Sequence, residues 1–107
     1  MVTIPDKITE VISEYISILS SEIAIEKVFL FGSYAKGTYH ENSDIDIAVY
    51  SKDFSTETRI EDMTYLLDKT WGLGLDIQPY PFGTDDYEDP VGIVEEILAT
   101  GIELKTV

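Results

Sequence analysis

Two short β-prone runs constrain this chain most: 27-KVFLF-31, ended by Gly32-Ser33, and 44-DIDIAVY-50, which follows the turn-rich Asn42-Ser43. Apolar runs of this length, rich in β-branched and aromatic residues and bounded by turn residues, read as strands. Side chains alternate between the two faces of a strand, so Asp44 and Asp46 project together while Ile45 and Ile47 project to the opposite side. Two carboxylates on one face of an apolar strand repel each other and resist desolvation unless a cation lies between them. The pair therefore points to a bound metal.

The available donors narrow that metal. With no cysteine and one histidine in the chain, hard oxygen ligands favour Mg2+ or Mn2+, and Mg2+ completes its shell with water and substrate phosphates. Phosphate then becomes the expected ligand. Gly32 allows close backbone approach, and the Ser33 hydroxyl with the amides that follow can bond a phosphate oxygen. A short helix opened by 33-SYAKG-37 adds a favourable dipole for an anion. Outside this setting Ser33 would read as an ordinary turn serine.

Around the two strands the pattern alternates with helices. Ile8, Val11, Ile12, Tyr15, Ile16 and Leu19 recur at helical spacing behind Thr3 and Pro5-Asp6, which suit a helix start. Ser55 and Thr56 can cap a second helix running to about residue 70, with Ile60, Met63, Leu66 and Leu67 as its apolar stripe and Trp71 anchoring it against the sheet. A third strand, 73-LGLDIQPY-80, is expected to stop at Pro79 and Pro81, which cannot donate to a ladder. Asp89-Pro90 opens a last helix with Ile93, Val94, Ile97 and Leu98 on its buried face and Gly101 at its end, and 102-IELKTV-107 reads as a short edge strand. The pattern predicts one α/β layer pair in a single domain over residues 1–107.

Composition excludes several classes of function. Apolar residues form 44% of the chain and recur in periodic runs, which argues against disorder. Seven Lys and Arg against 21 Asp and Glu give a net charge of −14, the wrong sign for direct contact with nucleic acid. Between Lys69 and Lys105 there is no basic residue, while Asp76, Asp85, Asp86, Glu88, Asp89, Glu95, Glu96 and Glu103 accumulate. That acidity reads either as a solvated face or as a surface that docks a basic partner, and charge alone does not decide between them. Without cysteine there is neither a disulfide framework nor a thiolate metal site. No apolar run approaches the roughly 20 residues of a membrane span, and no signal peptide pattern opens the chain. The expectation is a cytoplasmic protein without a membrane partner.

Taken together, Gly32-Ser33, ten intervening residues and Asp44-x-Asp46 resemble the signature of the DNA polymerase β-like nucleotidyltransferases. The segment 32-GSYAKGTYHENSDIDI-47 is particularly similar to the minimal nucleotidyltransferases, and the order of elements along the rest of the chain is more loosely similar. The resemblance implies an α/β (α+β) fold with a small mixed sheet packed against helices. It implies transfer of a nucleoside monophosphate, with ATP as substrate and two Mg2+ ions held by Asp44, Asp46 and a third carboxylate, for which Asp76 is the matching position. Asp76 would otherwise hold or deprotonate the attacking hydroxyl. Gly32, Ser33, Lys36 and Ser43 are the implied nucleotide-binding residues, although Lys36 stands where an arginine is frequent and lacks the bidentate fork.

Such proteins are paired as antitoxins with HEPN-domain toxins, and the resemblance implies AMP transfer to a hydroxyl of that partner, probably a tyrosine, within a hetero-oligomer. Two other functions stay open at this level: a catalytically silent antitoxin acting by binding alone, and a small-molecule nucleotidyltransferase. His40 reads as a solvated turn residue, and Tyr34 and Tyr39 either stack on a base or pack beside the glycine turns.

Overall fold

The computed structural model describes residues 5–37, 44–55, 57–74, 76–83 and 101–106. Its elements run α1 (Asp6–Ser20), β1 (Ile25–Phe31), α2 (Ser33–Lys36), β2 (Ile45–Ser51), α3 (Arg59–Asp68), β3 (Ile77–Phe82) and β4 (Ile102–Thr106). The four strands form one mixed sheet in the order β3-β2-β1-β4, with β1 antiparallel to both β2 and β4 and β2 parallel to β3. This is the α/β arrangement with a small mixed sheet that the sequence implies. The helix expected between Asp89 and Gly101, together with Thr3, Tyr39, His40 and the acidic cluster of residues 85–96, lies outside the described residues.

Alternation along the strands divides the molecule. Val28, Leu30, Ile45, Ile47, Val49 and Ile77 point to one face, where they meet Ile8, Ile12, Tyr15, Ile16 and Leu19 of α1 and Leu66 of α3 in the main core. The opposite face carries Phe29, Ala48, Tyr50 and Phe82, also buried, with Phe31 and Tyr80 packed beside them. The sheet is thus apolar on both sides, which explains why 27-KVFLF-31 reads as a continuous run and takes the core beyond the single layer pair expected. Tyr34 joins the main core at 6% exposure, which favours packing over stacking on a base.

Helix α1 meets α3 through a buried hydrogen bond from the Tyr15 hydroxyl to the Leu66 carbonyl, 2.6 Å long. Leu66 lies in the last turn of α3, where carbonyls run out of partners in their own helix. Burial, and secondarily the charge of Tyr65, holds the Tyr15 phenol far above its ordinary value, so it stays a donor.

Three expectations are corrected. Strand β3 does not stop at Pro79 and Pro81 but runs through both to Phe82. The Asp76 carbonyl accepts from the Ile45 amide, so the even-numbered residues of β3 face β2 and the prolines face the free edge, where no ladder bond is lost. The outward Pro81 carbonyl is taken by the Arg59 guanidinium at 3.2 Å, which also lies 5.5 Å from the Phe82 ring centroid. The stripe of α3 turns the other way from expectation: Leu66 is buried, but Ile60 is 81% exposed and Leu67 41%. Trp71 does not anchor the helix, being 84% exposed.

Candidate active site

The site is assembled where β1 ends and β2 and β3 begin. Phe31, the last residue of β1, is paired with Asp46 across the antiparallel ladder, so the chain leaves the sheet at Gly32 directly beside that carboxylate. Gly32 has φ 72° and ψ −148°, backbone that glycine alone adopts without strain. A β-carbon at this position would collide with Asp46 Oδ2. Both facts require glycine, and both follow from a tight exit alongside the acidic strand.

After Gly32 the chain makes the single helical turn α2, closed by a bond from the Lys36 amide to the Gly32 carbonyl at 3.1 Å and capped by Gly37 in the left-handed conformation. Ser33 is half-buried at its start and Lys36 is exposed at its end. The expected short helix is present, but with four residues it contributes nearby amides more than a macrodipole.

Asp44 is exposed just ahead of β2, and Asp46 is half-buried two residues on. Ile45 and Ile47 fill the main core on the other face, so both carboxylates belong to the aromatic face. Loss of hydration raises the Asp46 carboxyl above its ordinary value, and the negative charge of Asp44 raises it further. The two carboxylates therefore form an electrostatically unfavourable pair, which a divalent cation would relieve. Their hard oxygen donors fit Mg2+, which needs only one or two carboxylates when substrate phosphates and water supply the rest.

Asp76 occupies the matching position on the neighbouring strand. It immediately precedes β3, and because Ile45 pairs with Ile77, Asp76 stands level with Asp44. Its side chain is exposed. Among the described residues no three acidic or histidine side chains come together as a group able to hold a metal, so Asp44 and Asp46 form a pair and Asp76 stands beside it. Ser43 lies outside the described residues.

Sequence reasoning missed Tyr80 and Phe31. Their rings lie 5.4 Å apart on the acidic face, both partly exposed. The Tyr80 phenol is raised by burial and then by the charges of Asp46 and Asp44, which places its hydroxyl in the field of both carboxylates. The period of two from Asp76 through Gln78 to Tyr80 would have assigned Tyr80 to this face.

Known proteins share the sequence pattern and fold of this chain. The family described as "Polymerase beta, Nucleotidyltransferase" matches residues 13–106. A 29-residue stretch is 59% identical to the protein adenylyltransferase MntA of Shewanella oneidensis, covering 27% of this chain and 21% of that protein. A Methanocaldococcus jannaschii relative, provisionally named a protein adenylyltransferase, is 32% identical over 73 residues, 66% of this chain and 73% of its own. The match to MntA thus spans about a fifth of that relative's length. Among solved structures, a toxin–antitoxin crystallised with AMP-PNP is similar at a TM-score of 0.60 and 26% identity, over 92% of this chain and 73% of that one.

Proposed function

This chain belongs to the polymerase beta nucleotidyltransferase family, and we propose that it is a protein adenylyltransferase that transfers AMP from ATP to a tyrosine hydroxyl of a HEPN-type toxin, acting as its antitoxin. The observation that carries this reading is the close approach of Gly32 to the Asp46 carboxylate, which leaves no room for a β-carbon, with Asp44 on the same face; it joins a phosphate-compatible turn to a cation-demanding pair. The names of the similar proteins support protein as acceptor and an adenosine triphosphate analogue as ligand.

Asp44 and Asp46 would hold the two Mg2+ ions. When bound, such ions neutralise charge on the attacking and leaving oxygens of an in-line displacement. The chain's own residues do the rest. Backbone amides after Gly32 and the Ser33 hydroxyl hold triphosphate oxygens, and Lys36 supplies positive charge at the far end of the turn. Ser43, one residue ahead of Asp44, adds a nucleotide contact. Asp76, level with Asp44 at the head of β3, orients the acceptor hydroxyl or takes its proton. The acceptor oxygen bonds to the α-phosphorus, the bridge to the β-phosphate breaks, and pyrophosphate leaves.

Labelled ATP tests the reaction. Label in the α-phosphate is expected on the partner protein, and label in the γ-phosphate is not. Transfer of γ-label, or of α-label to a small acceptor with no partner present, would contradict the proposal.

A further inference from the structure

We propose that the outward stripe of α3, formed by Ile60 and Leu67 and continued by Trp71, is the surface on which the protein docks a basic partner, an apolar-centred helix or shallow groove rimmed by Lys and Arg. This inference rests on the protein-modifying reading above, since it names the surface by which that partner is held.

The stripe is built from the largest exposed apolar side chains of the described residues: Ile60 at 81%, Leu67 at 41% and Trp71 at 84%. Residues 60 and 67 are seven apart, two turns of one helix, so they lie above one another on the same side of α3. Trp71 follows Leu67 by four residues, just beyond the helix end at Asp68, and adds a third exposed apolar side chain near that end of α3. The exposed Thr64 sits between them and bonds its own helix at the Ile60 carbonyl rather than reaching outward. Buried Leu66 ties α3 to the core from a side roughly 100° around the helix from Leu67, and among the described residues Ile60 and Leu67 are left exposed. Single exposed apolar residues are ordinary, but Ile60 and Leu67 have the i, i+7 anchor spacing of helix-in-groove recognition, and the exposed tryptophan just past the helix end is the strongest kind of anchor.

Charge selects the occupant. Glu61 and Asp68, both exposed, each follow a stripe residue by one position and so line one flank of the row. The basic residues of α3 and its C-cap are turned elsewhere: Arg59 to the Pro81 carbonyl and Phe82, and Lys69 to Glu22 at 3.0 Å. A second copy of the chain, itself at net charge −14, would bring acidic flank against acidic flank. A partner with positive charge around an apolar centre meets both features.

The test uses the full chain and its HEPN partner. Because the altered side chains are exposed, Ile60→Ser with Leu67→Gln and Trp71→Ser should keep the wild-type thermal midpoint and weaken partner binding by about tenfold or more. Glu61→Lys with Asp68→Lys should weaken binding severalfold and flatten its dependence on salt. Wild-type affinity in the stripe variant, or no binding by the wild type, overturns the proposal. So does a stripe variant whose only change is loss of self-association, which would make a second copy the occupant. Loss of binding in the stripe variant supports the surface even where the wild type transfers no AMP, the outcome that removes the adenylyltransferase reading instead.

Discussion

The α-carbon of Gly32 faces the carboxylate of Asp46 so closely that any β-carbon at position 32 would collide with Oδ2. Backbone geometry and the acidic strand are thereby coupled, since the chain can leave β1 beside Asp46 only through a residue without a side chain. Gly32→Ala meets both the collision and a positive φ of 72°, and it should cost about 1–3 kcal/mol of stability. Chemical denaturation measures that loss, and nucleotide titration of the folded fraction should show weakened ATP binding. Unchanged stability with intact ATP binding would remove the turn from the site.

Asp46 gives a prediction with a defined sign. Its carboxyl is raised in the folded protein by desolvation and by Asp44. A raised folded-state value contributes stability below the unfolded value and loses it as pH rises through the folded one, so at neutral pH the ionised group is a burden. Asp46→Asn should therefore raise the thermal midpoint at pH 7 without metal. The gain should be under about 1 kcal/mol because the carboxyl is only half-buried. The difference should close below the ordinary aspartate range, about pH 3.9. Mg2+ should raise the midpoint of the wild type and not of the variant. A variant less stable than wild type at pH 7 would contradict this picture.

How far this was legible from sequence depends on the residue. Ile45, Asp46 and Ile47 divide between faces as alternation requires, and the α1 stripe from Ile8 to Leu19 is buried as its spacing implies. Helix α3 was not legible: it has apolar residues on two sides, and only packing against α1 decides that Leu66 goes inward while Ile60 and Leu67 go out. Pro79 and Pro81 looked like stops because nothing in the sequence says that β3 is an edge strand whose odd-numbered residues face away from β2. The positions of Gly32, Asp44, Asp46 and Asp76 along the chain could be read, but the closeness of Gly32 to Asp46 could not, since it depends on the register of β1 with β2.

Tyr15→Phe should remove the buried donor to the Leu66 carbonyl and leave that acceptor in an apolar setting. The expected cost is about 1–3 kcal/mol. Hydrogen exchange should show the last turn of α3 losing protection more than the strands do. Uniform loss, or none, would mean that the hydroxyl does not join the two helices.

Arg59→Met should expose the Pro81 carbonyl at the free edge of β3 and remove the cation over Phe82. A loss of about 1 kcal/mol is expected, with Arg59→Lys recovering only part of it because an ammonium lacks the planar fork. Full recovery by lysine would reduce the role of Arg59 to its charge.

The central claim is that Asp44 and Asp46 serve transfer of AMP to a protein. It is tested most directly by the intact mass of the proposed HEPN-type partner after incubation with this protein, ATP and Mg2+, alongside the Asp44→Asn, Asp46→Asn protein. The account predicts whole AMP additions with the wild type and none with the variant. A partner of unchanged mass in a tight complex with the wild type would contradict it and leave a fold that acts by binding alone.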